Sequence, residues 1–472
     1  MVEEAARHIS LAPPPSPADR SGGVEGEVAM TESGGATRSH AYAWFVVLVL
    51  SFANIVSFVD RLIMSLLVDP IKRDLMLSDT QVGWLLGMAF VLFYAATALP
   101  IAFLADRTNR KRLIFVGVLL WTAATAICAS ARSFWTLFLC RMNVGIGEAA
   151  LSPATMSIIA DYFPRDRLAR PVSVFSAAGY MGGGIALLVG GAVVQMVKTV
   201  GEVTVPVLGT IQSWQLTFLI VAAPGVLVLA LVSLIREPPR GGIAASTAAS
   251  TPPRSSPADV ARHMRAHWQA YAAIFAGFSI LATLGYGTFM WVPTFFRRVH
   301  GWDYAQAGYV YGLIVLVFGT GGVLAGGWIT DRLLRRGVRD ANLRVALVSA
   351  LVLLPFAVGF PLAPSGTLAV ALLIPASLLG SMPFGVGLAA LPVITPNSMR
   401  AQVTALYLFV ANVVSLGFGP VLVALFTDRV FGSEAAVHYS LASVAVLAVG
   451  LGAPILALGL RPFRAAVDVA ST

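Results

Sequence analysis

Twelve stretches of apolar residues recur along the chain, each long enough, at roughly 20 residues, to cross a ~30 Å hydrocarbon core as a helix. They lie near 41–68, 81–105, 113–131, 134–160, 171–197 and 214–235. After a break they continue near 268–295, 304–330, 343–362, 367–393, 401–427 and 437–460. A water-soluble globule cannot absorb so many. Of the 472 residues 57% are hydrophobic and 12% charged, against ~25% charged in a soluble domain. Mean hydropathy is +0.80, which leaves too little polar surface to cover the apolar mass. In lipid every backbone group must be satisfied internally, so only helices and closed barrels span it, and the alternating strands of a barrel are absent from the sequence. The sequence predicts an all-α integral membrane protein.

Three softer stretches divide it. Residues 1–40, with LAPPPSPADRSGG and no apolar run, read as a disordered cytoplasmic tail. No signal peptide precedes the first span, whose run is too long for an h-region. Residues 237–267 read as a cytoplasmic linker whose second part forms a surface helix. That leaves six-helix lobes at 41–236 and 268–461, with 462–472 as a short cytoplasmic tail. With the N-terminus inside, the inner segments hold 23 Lys and Arg and the outer ones 7. The positive-inside rule then puts both termini in the cytoplasm, on a cell (inner) membrane.

The same residues exclude other classes. The net charge of +9 is scattered in short clusters between spans, with no basic groove of the kind that binds nucleic acid. Cys128 and Cys140 sit in apolar runs and suggest neither a disulfide framework nor a metal site. Six histidines, none mid-span, offer no metal or haem ligand set, so no cofactor and no metal is expected. No Ser-His or paired-carboxylate motif sits in a loop long enough to build a site, which argues against an enzyme. A channel would want rings of identical groups from several subunits.

The chain also repeats itself. AFLADRTNRKR follows the second span and GGWITDRLLRRG the eighth, placing Asp106–Arg107 and Asp331–Arg332 at equivalent helix ends. FPRDRLARPVSVFSAAGY after the fourth span echoes TPNSMRAQVTALYLFV after the tenth. Two six-helix lobes related by a parallel repeat are a transporter architecture. The first loop resembles the major facilitator superfamily signature G-x-x-x-D-R-x-x-R-K, with Ala102 in place of the first glycine. RMNVGIGEAA in span four resembles that superfamily's R-x-x-x-G-x-G, and AAGYMGGGIALLVGG its glycine-rich span five. VDR in span one, GIGEA in span four and PNSMRAQVTALYLF entering span eleven resemble the spinster branch, proton-linked transporters of lysolipids and related amphiphiles. The resemblance implies twelve helices in two pseudo-symmetric lobes.

Four ionisable residues fall inside spans of the first lobe: Asp60 and Arg61 in span one, Arg141 and Glu148 in span four. Seven residues separate the last two, which puts them on one helix face, about 10.5 Å apart along the axis. A charge at the centre of a membrane helix costs at least ~2.5–3.5 kcal/mol, so four require partners or water and default to function. Gly145 and Gly147 beside Glu148 suggest room for water. A carboxyl loses its proton more readily beside an arginine and holds it when desolvated. Asp60 and Glu148 are therefore candidate proton carriers, with Arg61 and Arg141 as counter-charges or grips for a substrate head group; the resemblance implies the same roles. Asp106, Arg107, Arg110, Lys111, Asp331 and Arg332 are candidate gate residues, the acids meeting the N-termini of spans eleven and five.

The second lobe carries no charge inside spans seven to eleven. Its candidate cavity residues are Thr283, Tyr286, Ser381, Tyr407 and Asn412, among Phe289, Trp291 and Phe384, facing Asn54 and Ser57 of span one. One charged wall and one apolar, aromatic wall suit an amphiphile. Pro153, Pro375, Pro383 and Pro392 are candidate bends. The expected partners are protons, the lipid bilayer and a lysolipid-, sphingoid- or drug-like substrate, bound by a monomer. The alternative reading is a proton-coupled symporter of a small organic anion, gripped by Arg61 or Arg141. Without a nucleotide-binding motif in the sequence, a gradient is the expected energy source.

Overall fold

The computed structural model describes residues 25–105, 107–164, 167–201, 203–205, 209–238 and 256–471, with side chains from His40 onward. The described residues up to Phe45 fall in one unit and those from Val46 onward in another. The cavity and the ion clusters below lie in the second. The first helix starts at Glu25, so residues 25–40 are helical where the sequence suggests a disordered tail. The apolar run supplies the costly nucleus, and helix then extends backwards from it.

Eleven helices among the described residues are long and apolar enough to cross a membrane: His40–Leu66, Asp79–Ala105, Arg110–Cys128, Ala169–Lys198, Ser213–Leu234, Trp268–His300, Tyr304–Arg335, Ala341–Gly359, Gly366–Ile394, Arg400–Phe431 and Glu434–Val469. The twelfth, span four, is present in two pieces, Phe134–Glu148 and Leu151–Tyr162. Pro153 explains the break, because it has no N–H to offer the carbonyl of Ala149 and its ring crowds that carbonyl. The helix therefore parts directly after Glu148. Span ten, in contrast, stays one helix through Pro375, Pro383 and Pro392.

Span ends are coded locally. Ser78 and Gln81 form a reciprocal cap at span two, Asn109 caps span three, and Ser365 caps span ten. Spans seven and eleven stop on glycines in the left-handed region, Gly301 (φ 68°) and Gly432 (φ 65°). The linker's second part is a helix, Pro257–Ala266, opened by a Ser256–Asp259 capping box. One small feature has no signal in the sequence, an antiparallel pairing of Val203–Val205 with Gly209–Ile211 before span six. π-Helical turns, at Ala273–Phe278, Val315–Gly319, Asn412–Gly417 and Phe426–Phe431, fall in the second lobe.

Among the described residues, two helix pairs cross between the lobes with glycine against backbone. Where span two crosses span eleven, a Cβ on Gly87 would stand 2.4 Å from the Gly417 carbonyl oxygen. Where span five crosses span eight, a Cβ on Gly184 would stand 2.7 Å from the Leu316 nitrogen and 2.8 Å from the Gly312 oxygen. Small residues let membrane helices approach this closely. Gly184 therefore packs, whereas Gly183 faces the cavity.

Candidate functional site

Span one and the first piece of span four bring the four intramembrane charges together. Arg61 Nη2 lies 2.5 Å from Glu148 Oε2. Its guanidinium stacks on Phe90 (4.4 Å to the ring centre), Phe58 (4.9 Å) and Tyr94 (5.6 Å). Arg141 is deeply buried and donates to the backbone carbonyls of Asp60 and Arg61, each at 3.1 Å, rather than to a carboxylate. It locks the span-one backbone to span four. Asp60 is fully buried, and neither carboxylate oxygen has a hydrogen-bond partner among the described residues. The quartet is thus one tight pair, one backbone anchor and one carboxyl held by field alone.

Gly145 and Gly147 do not open space for water as the sequence suggests. A Cβ on Gly145 would meet the Phe90 carbonyl oxygen at 2.4 Å, and one on Gly147 the Gly117 oxygen at 2.7 Å. They let spans two and three press against span four.

A cavity of about 520 Å³ lies between the lobes. On the first-lobe side it is lined by Asn54, Phe58, Arg61, Tyr94, Ser152 and Ser176, with Arg61 the one charged residue on its wall among the described residues. Tyr286, Phe289, Tyr311, Ser381 and Phe384 line it opposite, and it runs on among Leu353, Ala357, Phe360, Leu373 and Ala376 in the second lobe. Of the residues proposed from sequence, Asn54, Arg61, Tyr286, Ser381 and Phe384 therefore reach it, as does Phe289.

The others point elsewhere. Ser57 bonds back to the Asn54 carbonyl. Thr283 donates to the carbonyls of Ser279 and Val414. Tyr407 packs edge-on against Phe275, Asn412 sits in a π-helical turn off the cavity wall, and Trp291 is buried with its N–H on the Pro420 carbonyl. Hydropathy places a residue in a span but does not fix its rotation about the helix axis. Tyr94, Ser152, Ser176 and Tyr311 were missed for the same reason.

The signature loops are placed unevenly. Asp106 lies outside the described residues. Arg107 stacks on Phe103 and Arg332 on Trp328, each one turn back on its own helix. Asp331 is exposed and makes no hydrogen bond or ion pair among the described residues, so its expected contact with span five is not formed. Arg110 is buried inside the first lobe, tied to Asp161, Glu237, Ser157 and the Pro238 carbonyl. Lys111 reaches the Ser233 carbonyl of the same lobe, and Glu237 caps the start of span three through the backbone N–H groups of Arg110 and Lys111. Both side chains clamp one lobe together and do not bridge the two, because the first turn of span three faces the ends of spans four and six.

A second ion cluster ties the lobes on the side opposite the linker, read above as the outer side. Arg298, at the end of span seven, holds Asp69 through Nε (2.9 Å) and Asp79 through both terminal nitrogens (2.7 and 2.8 Å). Arg297 and the Tyr304 hydroxyl also reach Asp69, at 2.8 and 2.6 Å, and Lys72 reaches Asp79 and Glu434. Asp428 accepts from the Thr80 backbone N–H and hydroxyl at 2.6 Å each, a carboxylate at a helix start donated by the other lobe. Burial alone would raise the Asp69 carboxyl, but Arg298, Tyr304 and Arg297 outweigh it and hold the pKa below the usual carboxylate range. In the sequence these residues look like ordinary loop charges. The available signal was the pairing of opposite signs, VDPIKRD and SDT in one lobe against FFRRVH in the other.

The chain matches the family described as Major Facilitator Superfamily over residues 50–420. It is 29% identical over 391 residues to an MFS-type efflux pump of Mycolicibacterium smegmatis, covering 82% of this chain and 85% of that protein. It is 28% identical over 308 residues to Protein spinster homolog 1 of Xenopus tropicalis, covering 62% of this chain and 55% of that one. A solved structure of a bacterial homolog to the human lysosomal transporter Spinster, inward-facing and unoccupied, superposes with a TM-score of 0.73 at 25% identity, covering 90% of this chain and 97% of that one.

Proposed function

The chain belongs to the major facilitator superfamily and resembles its spinster branch; from that premise we propose that this secondary transporter is proton-coupled and moves an amphiphile with a small polar head. It is a multi-pass membrane protein and not an enzyme. The observation that carries the reading is the asymmetry of the cavity. The one charged wall residue among those described, Arg61, stands among Phe58, Phe90 and Tyr94 beside Glu148, while the opposite lobe offers aliphatic and aromatic surface with a few hydroxyls. A sugar would need many more paired donors and acceptors.

The chemistry follows from the Arg61–Glu148 pair. When Glu148 takes up a proton it releases Arg61, which is then free to hold an anionic head group in the cavity. When the proton leaves, Glu148 reclaims the guanidinium and the head group loses its partner. Asp60 is the second proton site, and Arg141 fixes the geometry between the two. The outer cluster around Arg298 closes one entrance and separates when that side opens. We place the protein as a monomer in the inner membrane, with both termini in the cytoplasm, on the charge bias between its loops.

The test is reconstitution in proteoliposomes with an internal pH dye. Lysophospholipid or sphingoid phosphate is expected to move protons, with the signal lost in Asp60→Asn and Glu148→Gln. Flux of a short-chain organic acid alone would replace the amphiphile by the anion reading. Normal proton movement in both variants would refute coupling through these carboxyls.

A further inference from the structure

Behind the cavity, the first lobe buries more polar chemistry than its protein contacts use. Both oxygens of Asp60, Arg141 Nε, Glu148 Oε1, the Trp121 indole N–H and the Thr125 hydroxyl are buried and make no hydrogen bond among the described residues. Trp121 and Thr125 are at most 1% exposed, and none of the five residues lines the cavity.

These atoms belong to one seam. Trp121, Thr125 and Cys128 share a face of span three at helical spacing. That face packs antiparallel on span four. Cys128 lies beside Cys140 at the outer end, and at the inner end a Cβ on Gly147 would meet the Trp121 backbone nitrogen at 2.8 Å. On that antiparallel pairing Thr125 falls level with position 143 of span four, between Arg141 and Glu148. Asp60 enters from span one, brought there by the Arg141 guanidinium on its carbonyl, and its carboxyl feels the charges of both Arg141 and Glu148.

Buried polar atoms are almost always satisfied, by protein or by ordered water, and a buried water takes two to four polar partners. Here acceptors, donors and a hydroxyl able to act as either stand together along one helix interface. We propose that a short file of ordered water, held by Thr125 and Trp121, joins Asp60 to Glu148 inside the first lobe and carries the coupled proton without entering the substrate cavity. The proposal rests on the proton-coupled reading above. In the transfer the O–H bond of protonated Asp60 breaks onto the first water. Each water passes one proton on, and an O–H bond forms at Glu148 Oε1. The negative charge moves from Glu148 to Asp60, with Arg141 fixed between them. Thr125 and Trp121 are positioning residues.

The experiment compares Thr125→Val, Thr125→Ser and Trp121→Phe in the full chain in proteoliposomes, with lysophospholipid as the probe. Thr125→Val keeps the volume and removes the hydroxyl. It is expected to slow gradient-driven proton flux about tenfold, the rate equivalent of one lost hydrogen bond. The H₂O/D₂O rate ratio should rise, while exchange of labelled for unlabelled lipid without a gradient stays unchanged. Thr125→Ser restores the flux, and Trp121→Phe repeats the defect from the other end of the seam. Wild-type flux and isotope ratio in both Thr125→Val and Trp121→Phe would overturn the proposal, as would equal losses in Thr125→Val and Thr125→Ser, which mark packing damage. If Asp60→Asn and Glu148→Gln abolish coupling while Thr125→Val and Trp121→Phe do not, the water file alone fails. If the carboxyl variants also move protons normally, the coupling reading itself falls.

Discussion

Replacing Arg298 by glutamine weighs the outer cluster directly. The guanidinium makes two short contacts to Asp69, from Nε and Nη2, and two to Asp79, and the three side chains are 6%, 6% and 0% exposed. Removing one partner from a buried, hydrogen-bonded ion cluster costs ~3–5 kcal/mol. Arg297 and Tyr304 remain on Asp69, and Lys72 on Asp79, so part of that loss is recovered. A net cost of about 2–3 kcal/mol corresponds to a shift of roughly 30- to 150-fold in an equilibrium. The contacts exist only while the outer ends of the lobes meet, so the whole cost falls on the outer-closed state. The assay is labelling of Ser381→Cys, on the cavity wall, by an impermeant maleimide added from outside; native Cys128 and Cys140 are buried and give little background. Arg298→Gln should raise the labelling rate at least tenfold. A rate within twofold of the parent would show that closure does not rest on this cluster.

The cluster should also ignore moderate acid. The Asp69 pKa is lowered, so its contribution is fully present above the ordinary value of ~3.9 and is lost only as pH falls through the lower folded value; with the proposed proton sites removed by Asp60→Asn and Glu148→Gln, labelling is expected to stay flat as outside pH drops from about 8 to about 5. Gly87→Val should abolish transport, because its side chain meets the Gly417 backbone where spans two and eleven cross, whereas Gly321→Ala, with nothing within 4 Å, should be neutral in the same flux assay. Arg110→Ala leaves Asp161 and Glu237 without their shared partner and should lower first-lobe stability by about 3 kcal/mol, read as a loss of several degrees in a thermal-shift scan.

The twelve spans and the six-plus-six division were legible because they depend only on the length of apolar runs and the thickness of the bilayer. The charges at 60, 61, 141 and 148 were legible for a related reason, since ionised groups are too costly in hydrocarbon to be incidental. Finer geometry was not. Ser57 and Thr283 have the right chemistry and depth but turn their hydroxyls to backbone carbonyls, as buried hydroxyls on helices commonly do. Gly145 was misread because a missing side chain admits either solvent or another helix, and only the neighbour at 2.4 Å decides between them. Arg110 was misread because the signature loop names the residues at a helix end but not which way each one turns.

The two ion systems lie on one stretch of chain, and that is what makes coupling physically reasonable. Arg61 closes the helical part of span one, a buried turn at Ile63–Leu66 follows, and Asp69 comes next, in the short helix Val68–Asp74. No flexible linker separates the residue that answers to Glu148 from the residue that holds the outer ends shut. A displacement of span one that lengthens the Arg61–Glu148 contact is therefore carried through buried, packed residues to Asp69. Linkage makes the relation reciprocal: whatever free energy a proton on Glu148 adds to or takes from outer closure, opening the outer cluster must return to proton affinity at Glu148. On the proposed reading the second lobe needs no charge inside the cavity, because its basic pair at 297–298 meets the far end of the segment that carries Asp60 and Arg61.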